Sequence, residues 1–378
     1  MRRMTALILA AYALFVAARS IARGRRAARA PRWPSRPEPS VWPFVSIIIP
    51  AGKDRVTLQT CLDTVTRLDY PVYEAIVVAG GGDGTFESAV ACAASDPRLQ
   101  VIEQLPKGKN AALNQGLECA RGEILVFLDA DSEVAPGWLK SLVRGLGGEA
   151  DATTGNYFPR QLTPVSLLGD IAKVAEYEVR GRVILQGSGG IAMRRAALTA
   201  LGSFPEVRVS SDWDLDARVQ LGGLRKAFAP EAVISTHRPQ TVREWWRNEL
   251  RWRRLHLLSL LRLRRRVFDD PVSIARHLLP YAVAWGVALI TGLSLLAAFL
   301  TRGHLRRSLP QIALLVAGAS LLRELAAVIE VFAYKPARRL LPAFAFSPLL
   351  TALGWAACLI ASLTPRSVKL QFKGARQL

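Results

Sequence analysis

Short apolar runs alternate with amphipathic stretches between residues 44 and about 235. The runs are rich in β-branched residues and end at Pro, Gly or Asp: FVSIIIP (44–50), YEAIVVAG (73–80), LQVIEQ (99–104) and ILVFLDAD (124–131). Helical patterns lie between them, at Val56–Leu68, Gly84–Ala94 and Asn110–Ala120. Continuous apolar strands alternating with helices predict an α/β fold, in which helices cover both faces of a mostly parallel sheet.

Longer apolar segments flank this region. Met4–Ala18 follows two arginines, and Leu278–Leu300 is long enough to cross a bilayer at about 1.5 Å per residue. The first segment is interpreted as an anchor rather than a signal peptide, because its tail is basic and lacks a small-x-small cleavage site. Leu309–Leu363 is broken near Lys335, and we interpret it as two membrane segments, 309–334 and 340–363, one of them re-entrant or interfacial.

The 378-residue chain is strongly basic, with a formal net charge of +20 and a mean hydropathy of +0.20. This combination is typical of a multi-pass inner-membrane protein whose arginines hold the cytoplasmic side. More arginines follow the first apolar segment than precede it, which predicts a cytoplasmic soluble domain. Four cysteines without CxxC spacing imply neither a disulfide framework nor a zinc site.

The predicted organisation has six parts. They are an N-terminal membrane anchor (1–20), a basic Pro-rich linker (21–43), an α/β domain (44–242), an amphipathic interfacial helix region (243–270), transmembrane segments (271–365) and a basic tail (366–378). Nucleic-acid binding is not expected, because the positive charge clusters beside apolar segments and no nucleic-acid-reading motif is present. A transporter is not expected either, since few spans flank a large soluble domain.

The stretch ILVFLDADSE (124–133) places two carboxylates, Asp129 and Asp131, at the end of a predicted strand. Ligands of open α/β sheets bind at the carboxyl ends of the strands. Two carboxylates leave coordination positions open, which suits a divalent metal, Mg²⁺ or Mn²⁺, that is held together with a diphosphate. The alternative is a turn with an Asp N-cap before a helix at Pro136–Leu146.

Five blocks, in order, resemble those of the family 2 glycosyltransferases, which have the GT-A fold. The blocks are VSIIIPA (45–51), KGKNAALNQGLECARGEILVFLDADSEVAPGWL (107–139), GSGGIAMRRAAL (187–198) with LGSFPE (201–206), SSDWDLDARVQLGGLRKAFAPEAVISTHRPQT (210–241) and NELRW (248–252). The resemblance covers about residues 44 to 255. It implies an inverting, metal-dependent enzyme of cell envelope biogenesis. Such an enzyme moves a sugar from a nucleotide-sugar, by default a UDP-sugar, to a lipid or a membrane-associated glycan.

The resemblance also implies roles for single residues. Asp129 and Asp131 would bind the metal, and Asp129 also the donor sugar. Lys109 would meet the nucleotide, where a cation beside a diphosphate is physically reasonable. Asp212 would be the general base that takes the proton of the acceptor hydroxyl.

Asp212 has a structural alternative, because Asp212, Asp214 and Asp216 can all be acids favoured by a helix dipole in a first turn. Ser210 or Ser211 can N-cap that helix.

Asn248, Arg251 and Trp252 stand at i, i+3 and i+4 and therefore share one helical face. The resemblance places this face at the acceptor and diphosphate end of the site. The surrounding stretch, 243–266, is also basic, aromatic and amphipathic, as helices at a membrane surface are, and both interpretations can hold together. His237 is interpreted as a packed or surface residue, and His256 as an interface residue.

Two departures from the family pattern affect the donor end. Ala79 and Gly80 stand where the family has acids that read the nucleobase and ribose, while Asp54 and Asp83 remain as candidate donor-binding carboxylates. The alternative function is therefore a degenerate, non-catalytic partner in envelope glycan assembly.

Asn248 replaces a Gln that processive polysaccharide synthases usually keep. The tail VKLQFKGARQL (368–378) resembles that of ceramide-glucosyltransferase-like and hopanoid-associated members.

Overall fold

The computed structural model describes residues 2–30, 33, 35–105, 108–187, 190–207, 209–269, 271, 278–300, 304–335 and 341–364. One sheet of eight strands has the order β3-β2-β1-β4-β7-β6-β8-β5. The strands are β1 (Val45–Gly52), β2 (Tyr73–Gly80), β3 (Leu99–Glu103), β4 (Ile124–Phe127), β5 (Ser132–Val134), β6 (Ala152–Pro159), β7 (Ile191–Arg194) and β8 (Lys226–Thr236). β3, β2, β1 and β4 run parallel, and β7 is antiparallel to β4.

Twelve α-helices occur in the described parts of the chain. They are α1 (Arg2–Arg29), α2 (Arg55–Val65), α3 (Thr85–Ala93), α4 (Lys109–Cys119), α5 (Trp138–Gly145), α6 (Pro164–Val174), α7 (Arg195–Leu201), α8 (Ser211–Leu221), α9 (Val242–Asp269), α10 (Leu279–Leu300), α11 (His304–Tyr334) and α12 (Leu341–Leu363). A π-helical turn, Ala175–Val179, continues α6. The predicted α/β alternation is confirmed, and the four predicted strands begin and end within a few residues of the observed ones.

The parallel half of the sheet is buried because its strands are apolar on both sides. Every residue of β2 and all but the last of β1 are buried. Helix α4 packs closely on β1 at Gly116, where a Cβ would lie 2.5 Å from Ile48 Cγ2. This close approach brings Lys109, the first residue of α4, to the carboxyl edge of the sheet.

Helix α1 is longer than the predicted anchor and continues to Arg29, so nine residues of the predicted linker are helical. It packs along α11, where Arg23 Nη1 lies 2.6 Å from Glu330 Oε1. Glu330 is 1% exposed and also pairs, at 2.8 Å, with Arg180, which directly follows the π-helical turn. This one carboxylate therefore joins both flanking helices to the α/β domain.

Among the described residues, only the helix at Met4–Arg29 is long and apolar enough to cross a membrane. Shorter apolar stretches of 10–17 residues occur at Leu279–Ser294, Leu325–Tyr334 and Leu349–Leu363. The predicted C-terminal segments are thus helical where they are described, but their crossing of a membrane stays a prediction. The tail at 366–378 lies outside the described residues.

Candidate active site

A pocket of about 300 Å³ opens at the carboxyl ends of β1 and β4. Its lining combines two carboxylates and one cation with apolar side chains: Pro50, Lys109, Leu113, Phe127, Leu128, Asp129, Gly187, Ile191, Phe204, Ser211, Asp212 and Leu215. The strand-end position is the one at which an open α/β sheet binds ligands. Three of the predicted site residues, Lys109 and Asp129 from one sequence block and Asp212 from another, thus line the same pocket.

Asp129 follows β4 and faces two elements. Its Oδ1 accepts a hydrogen bond from Lys109 Nζ at 2.5 Å. Its Oδ2 faces Gly187, where a Cβ would lie only 3.1 Å away. A glycine at position 187 therefore keeps the space beside this carboxylate open.

Asp131 lies on the turn between β4 and β5. The Ser132 amide donates to the Asp129 carbonyl at 3.1 Å, and Arg160 Nη2 donates to the Asp131 carbonyl at 3.0 Å. Burial, followed by the charges of Asp131 and Asp129, raises the pKa of the Cys61 thiol beneath them. The rival interpretation, an Asp N-cap for α5, is wrong, because the N-cap position is Gly137.

Asp212 lies on the other side of Gly187 from Asp129. Its Oδ1 accepts hydrogen bonds from Ser210 Oγ at 2.5 Å and from the Trp213 amide at 3.0 Å. Its Oδ2 accepts a longer one from the Gly187 amide, at 3.4 Å. Ser210 occupies the predicted N-cap position of α8 but makes no side-chain cap, because its hydroxyl binds Asp212 instead.

The two other acids in this part of α8, Asp214 and Asp216, form buried ion pairs. Asp214 is fully buried and pairs with Arg218 at 2.8 Å. It also accepts hydrogen bonds from Nε and Nη2 of Arg262, each at 3.0 Å. Asp216 is 1% exposed and accepts from Lys226 Nζ at 2.6 Å. Of the three acids in SSDWDLDAR, only Asp212 lines the pocket.

Two cations lie near these carboxylates. Burial lowers the pKa of Lys109, but the charges of Asp129, Asp212 and Asp131 outweigh that effect and leave the pKa above its ordinary value. For Arg251 burial is the larger effect and lowers the pKa, although Asp131, Asp212 and Asp129 oppose it. Arg251 on α9 and Lys109 on α4 therefore interact electrostatically with the same three carboxylates.

The other predicted residues of α9 are less closely involved. Asn248 and Trp252 are half-buried on the same face as Arg251, and neither lines the pocket as far as the structure describes it. His237 is exposed, as predicted for a surface residue. His256, interpreted from the sequence as an interface residue, is 2% exposed and packs behind Asp212.

Asp54 and Asp83 meet at the ends of β1 and β2 through one threonine. Thr85 Oγ1 donates to Asp83 Oδ1 at 2.6 Å and accepts from the Asp54 amide at 3.0 Å.

Acidic side chains at positions 79 and 80, where the family has them, would lack room in this structure. Ala79 is fully buried, and a Cβ on Gly80 would lie 2.9 Å from Gln104 Cβ. Neither the Gly80 contact nor the bridge at Gly187 is visible in the sequence, because both join segments far apart in the chain.

No group of three or more His, Cys, Asp and Glu side chains able to hold a metal occurs in the described ranges. Two carboxylates in one turn fit a hard divalent cation that takes its remaining ligands from a substrate. The gap that Gly187 leaves beside Asp129 Oδ2 agrees with such a cation. Asp129 and Asp131 are the candidate ligands for such a cation.

Two family models match the chain: Glycosyl transferase family 2 over residues 46–197, and Glycosyl transferase family group 2 over residues 124–359. The chain belongs to the family 2 glycosyltransferases. It is accordingly a glycosyltransferase enzyme of α/β, GT-A-like fold that uses a nucleotide-sugar donor. The family that the five sequence blocks predict is thereby confirmed.

Known relatives support the same family. Glycosyltransferase AglE of Haloferax volcanii is 30% identical over 221 residues, which are 56% of this chain and 72% of AglE. Beta-monoglucosyldiacylglycerol synthase of Trichormus variabilis is 28% identical over 56% of this chain and 48% of its own length. Mannosyltransferase PcManGT from Pyrobaculum calidifontis, in complex with GDP-Man and Mn²⁺, has a TM-score of 0.68 and 22% identity, and the match covers 97% of this chain and 99% of that chain. This last likeness shows the fold.

Proposed function

We propose that this glycosyltransferase inverts the configuration of the sugar that it moves from a nucleotide-sugar to a lipid or a membrane-associated glycan. The observation that carries the proposal is that Asp129 and Asp212 line one pocket and both lie beside Gly187. One carboxylate suits the donor side and the other suits the acceptor hydroxyl. Asp214 and Asp216 are engaged in buried ion pairs, which leaves Asp212 as the proposed base.

The proposed step needs one proton acceptor and one open face. Asp212 takes the proton of the acceptor hydroxyl while that oxygen attacks the anomeric carbon. The bond from the sugar to the nucleoside diphosphate breaks on the opposite face, so the configuration inverts. Ser210 and the Trp213 amide fix the Oδ1 atom and thereby orient the carboxylate. Such general-base assistance is typically worth about a hundred- to ten-thousand-fold in rate.

The leaving diphosphate needs positive charge. Asp129 and Asp131 would hold Mg²⁺ or Mn²⁺, and the ion when bound would neutralise charge on the diphosphate. The PcManGT complex contains Mn²⁺, in agreement with this assignment. Lys109 and Arg251 would add two protein cations beside it. Asp54 and Asp83 are proposed to meet the nucleoside end of the donor, and Asn248 and Trp252 the acceptor end.

The acceptor is proposed to lie at a membrane. Helix α1 exposes large apolar side chains, with Leu7 69% and Leu14 72% exposed, which water would solvate poorly. Helix α9 is basic and aromatic, as helices at a bilayer surface are. We therefore propose a multi-pass inner-membrane protein whose catalytic domain, 44–242, faces the cytoplasm. The name of the Trichormus relative, a diacylglycerol glycolipid synthase, agrees with a lipid acceptor.

The test is release of nucleoside diphosphate by the full-length protein in detergent or nanodiscs. The panel contains UDP-, GDP- and dTDP-sugars with Mn²⁺ or Mg²⁺ and a lipid extract as acceptor. UDP-sugar is the default donor, and GDP-Man is included because the PcManGT complex holds it. We expect release from one donor that chelation abolishes.

Three aspartate variants complete this experiment. Asp129→Asn and Asp131→Asn should lose the release, whereas Asp63→Asn, an exposed aspartate of α2 outside the pocket lining, should keep it. Release that persists after chelation, or in both Asp129→Asn and Asp131→Asn, would refute the metal role. Folded protein that binds none of the donors would favour the non-catalytic alternative, whereas metal-dependent donor binding would count against it.

A further inference from the structure

A stack of three rings lies directly behind Asp212. Trp213, the next residue of α8, packs on His256 of α9 with ring centroids 3.9 Å apart and the planes at 44°. His256 in turn packs on Tyr281 of α10, with centroids 5.8 Å apart. His256 and Tyr281 are 2% and 6% exposed. The backbone that carries Asp212 is therefore supported from behind by a buried histidine.

Hydrogen bonds fix the orientation of this histidine. The Tyr281 hydroxyl donates to the Arg253 carbonyl at 2.7 Å and lies 3.3 Å from His256 Nδ1. The single hydroxyl hydrogen is used on the carbonyl, so the tyrosine oxygen accepts from Nδ1, which must carry a proton. The contact holds the imidazole in one plane and one tautomer, and it ties that plane to α10.

The base is carried by a different element from Lys109 and Asp129, the two donor-side residues that line the pocket. Asp212 lies in the first turn of α8, which is joined to α9 by the Trp213–His256 stack and by the Asp214–Arg262 pair. Lys109 and Asp129 belong to α4 and to the end of β4. A change behind Trp213 can therefore move the base relative to the donor while the donor contacts stay in place.

We propose that His256 is a positioning residue for the reaction: it sets the position of Asp212 through Trp213 and links that position to the seating of α10 through Tyr281. The inference rests on the proposed role of Asp212 as base. It goes beyond that role by making the rate of the chemical step depend on a contact between α9 and the first apolar helix after the catalytic domain.

The test is a double-mutant cycle of His256→Ala with Asp212→Asn, measured as single-turnover sugar transfer and as KM for the donor. A displacement of about 1 Å at a reacting group can cost about a hundred-fold in rate. We expect His256→Ala to lower kcat about ten- to a hundred-fold, with the donor KM within about two-fold of wild type. In the Asp212→Asn background the same change should have no further effect, because the group that it misplaces is gone.

Leu263→Ala is the matched control, since Leu263 is buried in α9 two turns further along and packs near Tyr281 in the same cluster. It should lower thermal stability with little change in kcat. If His256→Ala does not fold, Tyr281→Phe keeps the ring and removes the hydroxyl, and it should show a smaller fall that also vanishes with Asp212→Asn.

Equal losses in both backgrounds, an unchanged kcat, or a matching loss in Leu263→Ala would overturn the positioning role. Full activity of Asp212→Asn itself would refute the base assignment instead, and the two failures are therefore distinguishable.

Discussion

Replacing Gly187 by alanine should separate the two carboxylates without disturbing the fold. The added Cβ would lie 3.1 Å from Asp129 Oδ2 and 3.5 Å from Oδ1, and the first distance is shorter than an ordinary contact. The carboxylate must then move by a few tenths of an ångström, against the 2.5 Å contact of Oδ1 with Lys109. The methyl group would also fill the space proposed for the metal. A displacement of about 1 Å can cost about a hundred-fold in rate, so we expect this smaller displacement to cost up to about ten-fold.

The assay is sugar transfer as a function of Mn²⁺ concentration, with kcat and the donor KM determined for each variant. Gly187→Ala should lower kcat and require more metal, while its thermal unfolding stays near that of wild type. Gly137→Ala is the matched control, because a Cβ at Gly137 meets nothing within 4 Å and its backbone φ is −84°. Wild-type kcat and metal dependence in Gly187→Ala would refute the assigned geometry of the pocket.

Three further predictions concern stability. Asp214→Ala should lower the free energy of unfolding by about 3–5 kcal/mol, because it leaves the buried Arg218 guanidinium without its carboxylate partner. Asp212→Asn should instead lower the rate of transfer at unchanged stability, and equal melting temperatures of the two variants would contradict this contrast. Burial lowers the pKa of Lys173 to about 8 from 10.5, so between these pH values the unfolded chain binds more protons at this site and stability should rise with pH relative to Lys173→Met. A pH-independent difference in melting temperature between those two proteins would be the contrary result. Glu330→Ala should lower the free energy of unfolding by about 3–5 kcal/mol, because it removes the carboxylate that Arg23 and Arg180 share. A melting temperature equal to wild type would show that these two ion pairs contribute nothing to stability.

The strands and the pocket edge were predictable because their signals are local. Apolar runs with β-branched residues give the four parallel strands, and the two acids after ILVFL mark a strand end. Helix position alone does not separate the three acids of SSDWDLDAR, since all stand near a helix start, and the family resemblance singled out Asp212. The structure adds the tertiary partners, Arg262 for Asp214 and Lys226 for Asp216, which distinguish these two acids from Asp212.

The contacts that shape the site join distant segments, and periodicity carries no information about them. Gly187 sits between Asp129 and Asp212, and His256 lies behind Trp213, at separations of 25 to 58 residues along the chain. In the sequence, Ala79 and Gly80 indicate the loss of two donor-binding acids of the family pattern. The structure adds a packing reason, because Gln104 occupies the adjoining space.

The most direct test of the proposed mechanism compares Asp212→Asn with wild type for both transfer and donor binding. Asparagine keeps the shape of the side chain and its contacts with Ser210 and Trp213, but it cannot take a proton. We expect donor affinity to stay within about two-fold of wild type while single-turnover transfer falls about a hundred- to ten-thousand-fold. Transfer at the wild-type rate, with the donor bound equally well, would contradict the assignment of Asp212 as the base.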